Sequence, residues 1–194
     1  MSGLNAFDQT IMAWVQSHCH SPWADRLFPA VTGLGEGGVF WIAAALLLVV
    51  LGKKSGWRST GFLMLCAMLA GLLIGELGLK NLVCRPRPFA AFPGYASLLI
   101  PPPSGWSFPS GHSCSSFAAA AVVFCRDRRW GAAALVLAGL IAFSRVFLFV
   151  HFPTDVLAGA VLGTLCGLGA CWLALRLLGW WKERCGGAGK SLKP

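Results

Sequence analysis

The chain has 194 residues, of which 56% are hydrophobic and only 12% charged, with a mean hydropathy of +0.67. A water-soluble domain of this size cannot hide so much apolar surface, so part of its solvent must be lipid. The formal net charge of +9 invites a nucleic-acid reading, but the cations sit in short clusters between apolar runs, which argues against nucleic acid as a partner and for orientation in a membrane.

The N-terminus lacks the basic start and small-residue cleavage site of a signal peptide. Leu4, Phe7, Ile11, Trp14 and Val15 fall at helical spacing, with Asn5, Asp8, Gln9 and Gln16 between them. This apolar stretch is too short and too interrupted to span, so it predicts an amphipathic helix lying on the membrane interface. A turn at Ser21-Pro22 and a short helix over 23–31 follow, with a sixth span as the alternative for the region. Gly33-Leu34-Gly35-Glu36-Gly37-Gly38 has the look of a dinucleotide loop. No strand precedes it and no βαβ unit contains it, so it reads as a flexible approach to the first span.

Five apolar segments then run over 37–51, 60–79, 108–125, 131–150 and 156–178. Each is near the roughly 20 residues that cross a hydrocarbon core, the first and third being short. The expected fold is all-α: a polytopic membrane helical bundle of about five transmembrane helices behind an interfacial amphipathic helix. One domain covers 1–194, with interfacial helices over 1–36, a membrane core over 37–178 and a Gly-rich, disordered cytoplasmic tail over 179–194. Three basic clusters mark the cytoplasmic side by the positive-inside rule: Lys53, Lys54 and Arg58; Arg126, Arg128 and Arg129; and the tail cations from Lys182 to Lys193. Two spans separate each cluster from the next, so the loops over 80–107 and around His151 face outward. Gly159, Gly163 and Gly167 repeat every fourth residue, a small-residue pattern for close helix packing either within the chain or in a homodimer. Of the eight cysteines, Cys66, Cys125, Cys166 and Cys171 sit in or at the ends of apolar runs and read as small hydrophobes. No cysteine spacing resembles a zinc site, and the disulfide candidates are Cys19 with Cys84 or Cys114.

Charged groups beside a membrane need a reason, because burying them is costly. Three clusters stand out: Lys80-x6-Arg87-Pro88 with Arg85 inside it, Pro109-Ser110-Gly111-His112, and Ser144-Arg145-x5-His151-x3-Asp155. All three fall at outward span ends, where distant segments can converge. Lys80, Arg87 and Arg145 have few acidic partners, since the chain holds seven carboxylates and only Glu76 and Asp155 lie near these motifs. Unpaired cations in one place suit a cluster of anionic oxygens, and the Arg fork matches phosphate. Ser110 and Gly111 immediately precede a span, whose helix N-terminus offers N–H groups and a positive dipole end. Asp155 follows His151 by four residues, a spacing that lets the carboxylate bond one ring nitrogen and leaves the other as a nucleophile toward phosphorus. His112, in the first turn of its helix, can protonate a leaving oxygen, with the developing charge held by Lys80, Arg87 and Arg145. No Asp/Glu cluster is present to hold Mg²⁺, so the expectation is no metal and no cofactor. Each residue alone has a plainer reading: an anchor for a basic residue, a surface group for a histidine, a helix cap for Asp155. Plain anchors would favour the cytoplasmic side, however, and here three lie in one outward loop.

The three clusters resemble the signature of the type 2 phosphatidic acid phosphatase superfamily, matched at every position and in order from Lys80 to Asp155. The resemblance implies that Lys80, Arg87, Ser110, Gly111 and Arg145 bind phosphate. It also implies that His151 is the nucleophile, Asp155 its partner and His112 the acid. The implied protein is a multi-pass enzyme of the cell (inner) membrane, acting from the extracytoplasmic face on a lipid phosphate or diphosphate through a phosphohistidine. The superfamily also contains soluble vanadium haloperoxidases, against which five spans argue. A catalytically silent lipid-binding relative would be expected to lack one of the histidines. The short layout looks like the undecaprenyl diphosphate phosphatases; phosphatidylglycerophosphate, phosphatidate and lipid A phosphatases share the motifs. Selection among these lipids must lie in 89–106 and in apolar residues along the spans.

Overall fold

The computed structural model describes residues 3–52 and 57–187, and among them the chain is helix and turn throughout. Helices α1 (Gly3–His18) and α2 (Ala24–Gly33) lead through a 3₁₀ turn (Glu36–Gly38) into α3 (Val39–Leu51). Helix α4 (Trp57–Gly71) continues as a π-helical stretch (Leu72–Leu79) into α5 (Lys80–Val83) and, past a break, α6 (Pro88–Ala91). Three longer helices complete the chain: α7 (Gly111–Arg126), α8 (Arg128–Phe147) and α9 (Pro153–Gly187).

All five apolar segments are helical, but they are not five equal spans. Trp57–Ala91, Arg128–Phe147 and Pro153–Leu177 are each long and apolar enough to cross a membrane. Ala24–Gly33 with Glu36–Leu51, bent by 44°, makes a fourth if the pair acts as one span. Helix α7 has only 16 residues, yet it is the centre of the bundle, packed against α4, α8 and α9. Enclosure by protein relieves α7 of matching the hydrocarbon thickness by itself. Large apolar side chains on the outer helices, among them Leu47, Phe62, Val136, Val161 and Trp172, are exposed in the isolated chain and form its lipid-facing belt.

Side-chain size explains how tightly α7 is held. Ala118, Ala119, Ala120 and Ala121 are buried and leave room for neighbouring backbones. The glycine stripe of α9 lies on the same contact. A Cβ on Gly159, Gly163 or Gly167 would meet the carbonyl oxygen of Ser110, Cys114 or Ala118 respectively. The stripe is therefore used within the chain. Asp127 alone joins α7 to α8 and caps α8, its carboxylate accepting from the Arg129 amide at 2.9 Å and the Trp130 amide at 3.1 Å. So short a joint makes the pair antiparallel, returning Arg145 to the end where α7 begins. Arg126, Arg128 and Arg129 lie at the opposite end, about 24 Å away along a 16-residue helix.

Three expectations change here. Helix α1 docks on the protein through Met12 and Val15 and also through Asp8, which is wholly buried, while Phe7 and Trp14 remain exposed. Asp8 had been placed on the polar side; its burial follows from an ion pair with Arg85, far along the chain. The tail over 179–194 is helical as far as Gly187; Lys190 and Lys193, like Lys53 and Lys54, fall outside the described residues. The seven described cysteines are all free thiols, so Cys19 pairs with neither Cys84 nor Cys114.

Candidate active site

At the end of the bundle where α7 and α9 begin and α8 finishes, a cavity of about 620 Å³ opens. Lys80, Arg87, His112, Arg145 and His151 line it, together with Glu36, Glu76 and Gly111. The three sequence clusters thus converge on one space. Beyond the polar part, the wall becomes apolar: Ile42 of α3, Leu65, Met68 and Leu69 of α4, and Leu72 just after it.

His151 sits in the short connection between α8 and α9, fixed by bonds from its own amide and that of Val150 to the Arg145 carbonyl, at 3.2 and 3.1 Å. The side chain is 2% exposed. Nε2 accepts from Arg87 Nη1 at 3.1 Å, which leaves the proton on Nδ1. Nδ1 lies 3.4 Å from Ser107 Oγ and 3.8 Å from Asp155 Oδ2. The four-residue spacing does bring Asp155 beside the ring, but 3.8 Å is too long for the hydrogen bond expected from it. The link runs instead through Ser107, whose hydroxyl donates to Asp155 Oδ2 at 2.5 Å. Burial pushes the His151 ring down to about 4, the charges of Arg87 and Arg145 add to the fall, and Asp155 opposes it. The nucleophile candidate is therefore neutral, its Nε2 lone pair engaged by Arg87.

Asp155 is held on both oxygens. Oδ2 accepts from the Phe152 amide at 2.9 Å as well as from Ser107, and Oδ1 accepts from Arg85 Nη1 at 2.6 Å. Arg87 is likewise anchored, donating to the carbonyls of Ser104, Gly105 and Val150 at 3.0, 3.0 and 3.1 Å. Arg145 donates to Thr32 Oγ1 at 2.6 Å, while its Nε is buried without a hydrogen-bond partner. A buried, unsatisfied guanidinium N–H beside a cavity is a donor poised for an anion.

Lys80 departs from expectation. It is not unpaired: Nζ donates to both oxygens of Glu76 at 2.7 Å. The π-helical turn widens the helix around Glu76, and the carboxylate lies against Gly111, where any Cβ would collide with it. Glu76 thus lies beside the start of α7, and an anion entering the cavity would compete with it for Lys80.

His112 is the second residue of α7. Its Nε2 is buried without a hydrogen bond and lies 3.4 Å from Glu36 Oε2. The Gly-rich stretch is more specific than a flexible approach to a span. Gly35 lets the backbone close on the His112 ring, and Gly37 and Gly38 take positive φ (56° and 68°) in the turn that carries Glu36. Ser110 stands apart from the other predicted residues. It caps α7, accepting from the Ser113 amide at 3.4 Å and hydroxyl at 3.1 Å, while its own amide donates to the Asp155 carbonyl at 3.0 Å. It is fully buried and does not line the cavity.

Sequence reasoning missed Ser107, Asp8 and Glu36. Arg85 was the one available signal for Asp8, since a cation between apolar runs calls for a carboxylate. Nothing in the chain marked Ser107.

The model of the PAP2 superfamily matches residues 60–178. The bacitracin transport permease protein BcrC of Bacillus licheniformis is 31% identical over 151 residues, 78% of this chain and 73% of that protein. An undecaprenyl-diphosphatase of Sulfolobus acidocaldarius is 30% identical over 125 residues, covering 64% of this chain and 58% of that one. The crystal structure of a transmembrane PAP2-type phosphatidylglycerolphosphate phosphatase from Bacillus subtilis superposes with a TM-score of 0.72. It is 27% identical and covers 91% of this chain and 88% of its own.

Proposed function

The chain belongs to the PAP2 superfamily and is a multi-pass membrane phosphatase, and on that premise we propose that it hydrolyses undecaprenyl diphosphate to undecaprenyl phosphate through a phosphohistidine on His151. The observation that carries the reading is one cavity presenting two histidines and three cations at its polar end and an apolar wall beyond. A diphosphate fits the first part and an isoprenoid chain the second.

The chemistry follows from the contacts. The terminal phosphoryl group takes donors from Lys80, Arg87, the buried Nε of Arg145 and the N-terminus of α7 at Gly111. Once Arg87 turns its N–H to a phosphate oxygen, His151 Nε2 is free to attack phosphorus. The P–N bond forms as the bond to the bridging oxygen breaks, and His112 passes its proton to that oxygen. Neutral His112 then takes a proton from water as the water attacks phosphorus, breaking the P–N bond and releasing inorganic phosphate. The Ser107–Asp155 pair receives the Nδ1–H of His151 and stabilises the ring as it becomes cationic. Among the described residues, no three His, Cys, Asp or Glu side chains gather as a metal site would need, and three cations supply the charge compensation instead.

The cell membrane is the expected location, with this cavity on the extracytoplasmic face. Arg126, Arg128 and Arg129 at the opposite end support that orientation by the positive-inside rule. The test is phosphate release by purified protein from undecaprenyl diphosphate, phosphatidylglycerophosphate, phosphatidate and lipid A, each with and without EDTA. Turnover of the isoprenyl diphosphate that survives EDTA is expected. Preference for a glycerolipid would remove the carrier-lipid reading, and strict dependence on added Mg²⁺ would remove the metal-free scheme. Orientation is tested in intact cells with an impermeant thiol reagent, using single-Cys variants of an otherwise Cys-free protein. Ser97→Cys should label and Ser55→Cys should not; the reverse would invert the protein.

A further inference from the structure

Asp8 is tied to Asp155 through Arg85. It lies on α1, no residue of α1 lines the cavity, and its side chain is 1% exposed. A carboxylate so buried is tolerated only with strong partners, and Asp8 has three donors. Its Oδ1 accepts from the Thr154 amide at 2.9 Å; its Oδ2 accepts from the Thr154 hydroxyl at 2.7 Å and from Arg85 Nη2 at 2.5 Å.

Arg85 is the other half of the arrangement. Its Nη2 holds Asp8, while its Nη1 donates to Asp155 Oδ1 at 2.6 Å and to Thr154 Oγ1 at 2.8 Å. The guanidinium carbon lies 3.9 Å above the Phe152 ring centroid. A planar fork gripped at both nitrogens has one orientation. Released from Asp8, it is free to swing about the bond to Thr154, and Asp155 loses the donor that sets the plane of its carboxylate. Oδ2 of that carboxylate is the oxygen bonded to Ser107 and facing the His151 ring.

We propose that Asp8 is a positioning residue for hydrolysis: by fixing Arg85 it orients Asp155, so the nucleophile is set for attack only while α1 is docked. The proposal rests on the reading of His151 as nucleophile. An interfacial helix with exposed Phe7 and Trp14 thereby becomes part of the catalytic apparatus without touching substrate.

A double-mutant cycle in the full-length protein tests it, with kcat and KM measured on a radiolabelled isoprenyl diphosphate in mixed micelles. Asp8→Asn keeps the shape of the side chain but removes the charge that holds Arg85. It should lower kcat ~30-fold with KM changed less than about twofold, since only attack depends on Asp155 orientation. In an Asp155→Asn background the same change should cost less than about twofold more, because its route of action is already gone. A kcat for Asp8→Asn within about twofold of the parent would overturn the proposal, and so would an undiminished effect beside Asp155→Asn. If Asp8→Asn does not give a monodisperse protein, Arg85→Lys is read by the same cycle, keeping the charge but losing the fork. Phosphoenzyme trapped by an alkaline detergent quench, which preserves an acid-labile P–N bond, is measured alongside, in the parent and in His151→Gln. Label that persists in His151→Gln defeats the nucleophile assignment, while the coupling of Asp8 to Asp155 is still read from the rates.

Discussion

Replacing Ser107 by alanine isolates the one link between His151 and Asp155 that spacing did not foretell. The hydroxyl is fully buried and donates to Asp155 Oδ2 at 2.5 Å, and it is the nearest acceptor for the His151 Nδ1–H at 3.4 Å. A buried hydrogen bond to a charged group contributes about 1.5–3 kcal/mol. Asp155 keeps the Phe152 amide and Arg85, so the carboxylate stays seated and the lower part of that range applies, about 2 kcal/mol. At 1.36 kcal/mol per tenfold, full expression in the transition state lowers kcat ~30-fold. KM should hold within about twofold, because Ser107 does not line the cavity. Initial rates of phosphate release from an isoprenyl diphosphate in mixed micelles give both constants. An unchanged kcat, or a loss that falls wholly in KM, would refute the role assigned to Ser107 and with it the indirect His151–Asp155 link.

His151→Ala should abolish turnover, since no neighbouring side chain offers a second nucleophile. His112→Ala should be nearly as damaging, yet a substrate with a good leaving group should restore much of the rate; equal loss on good and poor leaving groups would remove His112 as the acid. The His151 ring, pushed down to about 4, is neutral from pH 8 to 5 in the substrate-free protein, where an unperturbed histidine would gain its proton near pH 6.5. Selective ring labelling, assigned against His151→Gln, should show no NMR shift across that window, and a midpoint near 6.5 would contradict the burial argument. Gly163→Val places new atoms against the Cys114 carbonyl and the Ala118 amide, forcing α9 from α7. A cost of about 1–3 kcal/mol should lower the melting temperature in detergent, whereas a neutral result would mean the contact is loose.

The bundle was legible because lipid imposes a simple rule: backbone polar groups must be satisfied within a segment, so long apolar runs become helices. Motif order likewise placed Lys80, Arg87, His112, Arg145 and His151 around one cavity, since antiparallel helices return alternate ends to the same level. Hydropathy could not say which segments touch lipid, and so it weighted α7 and α9 alike, although α7 is enclosed and too short to span by itself. Polar patterning placed Asp8 on the wet side of α1, because periodicity registers a charge but not a partner 77 residues away. The same limit hid Ser107 and Glu36, contacts made by side-chain direction rather than by spacing, whereas Glu76 and Lys80 pair at a four-residue helical spacing that the sequence does display. Sequence by itself determined which residues could do chemistry at one end of a helical bundle. Which of them line the cavity, which brace the others, and that the Ser110 hydroxyl caps α7 were decided only by packing, where each buried donor must find its acceptor.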